Sequence, residues 1–177
     1  MTSKRPGDPD GTPTEDRSHE TENAPAQRAE SNRLWNTSVG DDMAFLLARA
    51  NALSLSRVQA RLKQFDLNTR SYSVLAVAAD DARPTQRELS EFLRLDPSQI
   101  VALVDQLEEA GLIKREPDPR DRRAKVVVPT EAGRSLAAEA RLAVSESDRE
   151  WFSALPPEDR DRWFSALRSL ASDPAAD

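Results

Sequence analysis

Two helix-start signals stand close together near the middle of the chain, and they constrain its fold more than any other feature. In Thr85-Gln86-Arg87-Glu88 the threonine hydroxyl can take one of the amides a helix leaves unpaired at its start, and the glutamate carboxylate another. Asp96-Pro97 is a second start: aspartate is a favoured cap, and proline at the first helical position loses no bond. The first helix is therefore short, since its apolar set Leu89, Phe92 and Leu93 ends at Leu95. The second carries a stripe of Ile100, Leu103, Val104 and Leu107, closed by Gly111 as a helix end should be. Arg94 to Asp96 is left as a tight turn, the spacing of a helix-turn-helix.

Downstream, the pattern changes. Leu112–Glu116 is followed by the polar stretch 117–123 and then by Ala124–Val128, a β-branched run bounded by Pro129. This predicts a β-hairpin with a long basic loop, a wing. Long helices flank the lobe. Met43, Leu46, Leu47, Ala50, Leu53, Val58 and Leu62 recur at helical spacing, and a second helix carries Tyr72, Leu75 and Val77. After Thr130, the stripe Leu136, Ala137, Ala140, Val144, Trp151, Leu155 marks another long helix; Pro156-Pro157 breaks it. A last helix presents Trp163, Phe164, Leu167 and Leu170. Residues 1–33 hold four prolines and one large apolar residue, Met1, and cannot bury enough surface to offset chain entropy, which predicts a disordered tail.

Composition removes several function classes. There is no cysteine, hence no disulfide, thiolate metal site or thiol redox sensor, and the sole histidine, His19, lies in the polar tail. With no glycine-rich phosphate loop and no nucleophile elbow either, we assign no catalytic residue, no metal and no cofactor, and expect no enzyme. No apolar run suits a membrane span and the N-terminus lacks a secretory h-region, so no membrane partner and a cytoplasmic location are expected. The net charge of −6 alone argues against nucleic acid. Placement matters more: Lys114–Lys125 holds 6 basic and 3 acidic side chains.

The run TQRELSEFLRLDPSQIVALVDQLEEAGLIKREPDPRDRRAKVVVPTEAG, Thr85 to Gly133, resembles the MarR family of bacterial winged helix-turn-helix transcriptional regulators. The carrying motifs are the capped short helix, the D-P-S-x-I start of the recognition helix, L-V-D-x-L-E-x-x-G-L, D-P-x-D-R-R-A-K and T-x-x-G; the flanking helices extend the likeness over about residues 40–172. The resemblance implies a dimer of triangular outline made by the terminal helices. It also implies two winged lobes on a palindrome, and often release by an anionic aromatic ligand. The chain carries Val101-Ala102 where many relatives have a polar residue and an arginine, and Val128-Pro129-Thr130 where leucine usually precedes the threonine.

A recognition helix must carry short polar or methyl-bearing groups into the major groove. Ser98, Gln99, Val101, Ala102 and Gln106 are the candidates, with Asp105 on the same exposed face. Gln99 can bond adenine in bidentate fashion, Val101 and Ala102 can pack on thymine methyls, and Ser98 with the helix N-terminal amides suits phosphate. In the wing, Arg120, Arg122, Arg123 and Lys125 are the DNA-binding candidates; Asp121 is expected to orient the Arg123 guanidinium so that the basic tip enters the minor groove. Arg87, Lys114 and Arg115 are candidates for phosphate contact. Trp35, Arg57 and Tyr72 suit an aromatic anion chemically, but ordinary packing accounts for them better, and none is assigned as a binding residue.

The expected fold is mainly α with a small β-wing. It comprises a tail (1–33), a regulator domain (34–172) with dimerisation helices at 34–66 and 131–172, a DNA-binding lobe (69–128) with its wing at 112–128, and a C-terminal tail (173–177). The expected function is that of a dimeric, sequence-specific DNA-binding transcriptional regulator, a repressor on a palindromic operator released by a small aromatic or anionic effector. The rival is a winged-helix protein–protein adaptor without sequence-specific DNA binding; an acidic surface lacking a basic wing would favour it.

Overall fold

A computed structural model describes residues 33–119, 121 and 123–172. Residues 1–32 of the predicted N-terminal tail, the predicted C-terminal tail 173–177, and the wing candidates Arg120 and Arg122 lie outside the described residues. The chain divides after Arg49 into two compact units.

In the first unit, a 3-10 turn at Ser38–Asp41 precedes helix α1, Met43–Leu62. Asp42 Oδ1 accepts from the Phe45 N–H at 3.0 Å, satisfying one of the amides at that helix start. Trp35 meets the Phe45 ring edge-on at 6.3 Å, and the Arg49 guanidinium lies over the Trp35 ring at 5.2 Å.

The second unit takes in the rest of α1, then α2 (Thr69–Ala79), α3 (Gln86–Leu93), α4 (Pro97–Glu109), β1 (Ile113–Pro117), β2 (Lys125–Pro129), α5 (Glu131–Phe152) and α6 (Pro157–Ala171). It is mainly α with a small two-stranded antiparallel sheet, the class expected from the sequence. The capping box forms as read: Thr85 Oγ1 accepts from the Glu88 N–H at 3.2 Å, and Glu88 Oε2 accepts from the Thr85 N–H at 2.7 Å. Asp96 Oδ1 accepts from the Ser98 N–H at 2.8 Å at the head of α4. Between these helices Arg94 takes left-handed backbone, φ 53°, and the Ser90 hydroxyl donates to the Leu95 carbonyl at 2.6 Å, tying the turn down.

The core gathers the predicted stripes. Leu62 of α1, Val74, Leu75 and Ala78 of α2, Leu89 of α3, and Ile100 and Val104 of α4 are fully buried with Val127 of β2 and Ala140 of α5. Each leucine, isoleucine and valine among them contributes about 1.5–3 kcal/mol when fully withdrawn from water.

Each wing strand lies one residue later than the sequence suggested. Leu112 belongs to the closure of α4, with its N–H donating to the Leu107 carbonyl at 2.9 Å and its carbonyl accepting from the Thr130 N–H at 3.0 Å. At the far end, Pro129 pairs with Ile113 in the last register position. A proline is tolerated at a strand end, where no further ladder donor is required. The Val127 N–H also donates to the Pro84 carbonyl at 2.8 Å, which joins the start of α3 to the wing. Helix α5 then seats close on the wing: a Cβ on Gly133 would fall 1.8 Å from the Leu112 carbonyl oxygen, so only glycine fits there. Leu155, read from the sequence as part of the α5 stripe, lies beyond the helix in the turn before α6.

Candidate nucleic-acid interface

Helix α4 has one buried face and one open face. Ile100, Val104 and Leu107 point into the core, while Ser98, Gln99, Val101, Ala102 and Gln106 are all exposed. The five candidates therefore share one surface, and that surface carries no cation. Val101 is 44% exposed on this face. The Ser98 hydroxyl donates to Asp96 Oδ1 at 2.5 Å. Its one proton is thus committed inward, and Asp96 is held below its ordinary pKa, chiefly by that bond and by the Ser98 amide.

Asp105, the acid on this face, is engaged by Arg115 of β1. The same guanidinium also holds Glu108, and the Arg115 N–H donates to Glu108 Oε1 at 2.9 Å. Burial works to lower the Arg115 pKa; the bonds to Asp105 and Glu108 outweigh it and raise it. Arg115 is only 16% exposed, so it braces α4 against the wing instead of reaching outward as a phosphate contact. The other two phosphate candidates have acidic neighbours as well. Arg87 Nε donates to Glu91 Oε1 at 2.8 Å, and Lys114 Nζ lies 2.9 Å from Glu116 Oε1.

In the wing, Arg123 and Lys125 are exposed. Asp121 does not orient the Arg123 guanidinium as expected: its Oδ1 accepts from the Arg123 backbone N–H at 2.9 Å. A carboxylate two residues before an amide closes a local side-chain turn more readily than it reaches a long side chain. Asp121 therefore shapes the loop backbone, aided by the Ala124 N–H donating to the Asp121 carbonyl at 2.9 Å. Asp118 is buried at 5% exposure, and its N–H donates to the Ala124 carbonyl at 3.0 Å.

Sequence reasoning missed one part of this surface. A cleft of about 430 Å3 lies beside α4, lined by Gln99, Ala102 and Leu103 on one side and by Asn68, Thr69 and Arg70 on the other. Asn68 caps α2, accepting from the Arg70 and Ser71 amides at 2.9 Å each, with Ser71 Oγ accepting from the Asn68 N–H at 2.9 Å. Neither this capping box nor its closeness to α4 was part of the sequence reading.

Tyr72, half-buried on α2, has its hydroxyl pKa raised by burial, against the lowering effect of Arg141, which itself bonds Asp80 at 2.7 Å. Among the described residues, no group of three or more His, Cys, Asp or Glu side chains could hold a metal ion, and no helix is long and apolar enough to cross a membrane.

Comparison with known proteins places this geometry. A family model described as MarR family matches residues 65–124, from the end of α1 to the wing. The crystal structure of a MarR-family transcriptional regulator from Rhodococcus sp. RHA1 superposes with a TM-score of 0.72 at 38% identity, covering 77% of this chain and 99% of that one. The chain belongs to the MarR family. A second solved structure, CouR from Rhodococcus jostii RHA1 bound to p-coumaroyl-CoA, is 39% identical with a TM-score of 0.71, over 77% of this chain and 96% of that one. The uncharacterized HTH-type transcriptional regulator YcgE of Bacillus subtilis (strain 168) is 36% identical over 87 residues, 49% of this chain and 56% of that protein. The chain spans about 56–60% of the length of the curated relatives it matches. As a MarR-family member it is a transcriptional regulator with a winged helix-turn-helix lobe, in which α3 and α4 form the helix pair and β1 and β2 the wing.

Proposed function

We propose that this MarR-family chain acts as a homodimer that binds a palindromic double-stranded DNA operator and works as a repressor released by a small aromatic or anionic ligand. The observation that carries this reading is the exposed face of α4, where the side chains of Gln99, Val101 and Ala102 make no hydrogen bond or ion pair among the described residues, opposite the buried Ile100, Val104 and Leu107. Such a face suits a major groove: one bidentate amide and two methyl-bearing contacts discriminate A·T pairs. Arg123 and Lys125 supply wing cations suited to the backbone or minor groove, with Arg120 and Arg122 assigned the same role.

Two further observations support the finer parts. Helix α6 buries none of its residues, and Phe164 and Leu170 are 65% and 68% exposed, which suits cover by a second copy. CouR, at 39% identity, is a protein bound to an aromatic acyl thioester, and this favours a ligand of related chemistry. Release requires the ligand to prefer one separation of the two lobes over another; equal affinity for both would shift nothing.

Selection of bound fragments from random-sequence duplex DNA, with and without aromatic acids and their coenzyme A thioesters, tests this reading. The expected result is an enriched palindrome with half-sites about 10–10.5 bp apart, lost when the right ligand is present. No enrichment at any ligand condition would contradict it and favour the adaptor alternative.

A further inference from the structure

We propose that Arg70, at the start of α2, is an anchor for the DNA backbone beside the groove that α4 enters; this rests on the DNA-binding reading above. The exposed face of α4 holds no lysine or arginine, and its N-cap Asp96 is held in the charged form by Ser98. A helix that enters the groove with an acid at its head and no cation along its face needs positive charge from a neighbouring element, because phosphate contacts dominate affinity. Arg115 cannot supply it, being held by Asp105 and Glu108.

The cleft beside α4 points to the supplier. Arg70 and Thr69 face Gln99 and Ala102 across it, so a strand whose bases meet Gln99 would run its sugar-phosphate past Arg70. The backbone amides at this helix start are not the donors. Thr69 N–H donates to Gln59 Oε1 at 3.2 Å, and Arg70 and Ser71 N–H both donate to Asn68 Oδ1. The donor is therefore the Arg70 guanidinium. It is exposed and, among the described residues, meets no carboxylate, whereas Arg83, Arg87 and Arg115 in the same lobe are each held by one. Its position is fixed from behind as well: Gln59 of α1 accepts from Thr69 and donates through Nε2 to the Leu67 carbonyl at 3.4 Å, gripping both ends of the loop that leads into α2.

The test measures affinity for a selected duplex against salt concentration for the wild-type full chain, Arg70→Gln, Arg70→Lys and Arg123→Ala, with a thermal melt of each. Arg70→Gln should lose roughly 3- to 10-fold in affinity per half-site and flatten the log–log salt slope by roughly 0.9 per lost contact. Arg70→Lys should keep the slope, and all melting temperatures should match. If Arg70→Gln binds with wild-type affinity and slope while Arg123→Ala weakens, the anchor is wrong and the DNA reading stands. An Arg70→Gln variant that loses affinity at unchanged slope and melts lower has a structural role only, which also overturns the anchor. If the wild type binds no duplex in a salt-dependent way, the DNA reading falls and the anchor with it.

Discussion

The lobe from α2 to β2 and the last helix, α6, are built to different standards of completeness. Within the lobe each helix begins on a side-chain cap, Asn68, Thr85 or Asp96, and sinks at least one large apolar side chain fully into the core, Val74 and Leu75, Leu89, and Ile100 and Val104, although Phe92 of α3 stays at the surface. Helix α6 begins at Pro156-Pro157 with no side-chain cap and has no buried residue, and large apolar side chains remain at its surface. Both regions show the same helical periodicity in sequence. The difference is that every lobe helix reaches the core of its own chain, whereas α6 buries none of its residues and touches its neighbour through Trp163 on Phe152. On the proposed dimer, local stability would belong to the lobe and assembly to the terminal helices.

Perturbing the two regions separately should break that contrast if it is wrong. The largest effect should come from the double variant Phe164→Glu/Leu170→Glu. Sedimentation should show the wild type near twice 19.7 kDa and the variant near 19.7 kDa. Operator affinity should fall roughly a hundredfold as the two lobes lose their linkage, with the lobe's melting little changed. A variant that remains dimeric would show that α6 is not the interface.

Gly133→Ala should do the opposite. Its Cβ would strike the Leu112 carbonyl, which also accepts from Thr130. We expect a loss of about 3 kcal/mol, read as a melting temperature lower by roughly 6–12 °C. Unchanged melting would mean that α5 is not seated on the wing as described. Arg115→Ala should cost less, about 1–2 kcal/mol, between the values for exposed and buried pairs, because it frees Asp105 and Glu108 together. It should also weaken DNA binding, by unveiling acid on the α4 face.

The smallest effect is a gain. Asp148 on α5 is half-buried, and burial pushes its carboxyl above its ordinary value of 3.8. Between the ordinary and raised values the folded chain binds more proton than the unfolded one, so stability falls as pH rises through that window and stays reduced above it. Asp148→Asn should therefore raise the melting temperature at pH 7 by roughly 1–3 °C. The advantage should shrink as pH is lowered through the raised pKa toward 3.8. A variant less stable than wild type at pH 7 would show that the charge is compensated in the assembled protein.

What the sequence disclosed and what it concealed divide along the same physical line. Helix starts are local events: Thr85 and Glu88, or Asp96 and Pro97, are three residues apart or fewer, so the helix pair and its turn could be read directly. The exposed face of α4 followed from the same periodicity. Strand ends were one residue off because they depend on distant partners, the Thr130 amide for Leu112 and Ile113 for Pro129. Charges were harder. Arg115 looked like a wing-base cation until β1 paired with β2 and carried it to Asp105 and Glu108. Asp121 lay within reach of two donors on Arg123, and the nearer, the backbone amide, took it. Arg70 carried no signal at all, since its nearness to Gln99 exists only once α2 packs against α4.

The central claim is that the α4 face and the wing together read DNA, the helix by base contact and the wing by charge. Operator affinity measured against salt for wild type, Arg123→Ala and Gln99→Ala separates the two roles. Arg123→Ala should weaken binding and flatten the salt slope by roughly one counterion per lost phosphate contact. Gln99→Ala should keep the slope and relax preference at one base position per half-site by roughly 1–3 kcal/mol. If both variants match the wild type in affinity, slope and base preference, neither surface touches DNA, and the account is contradicted.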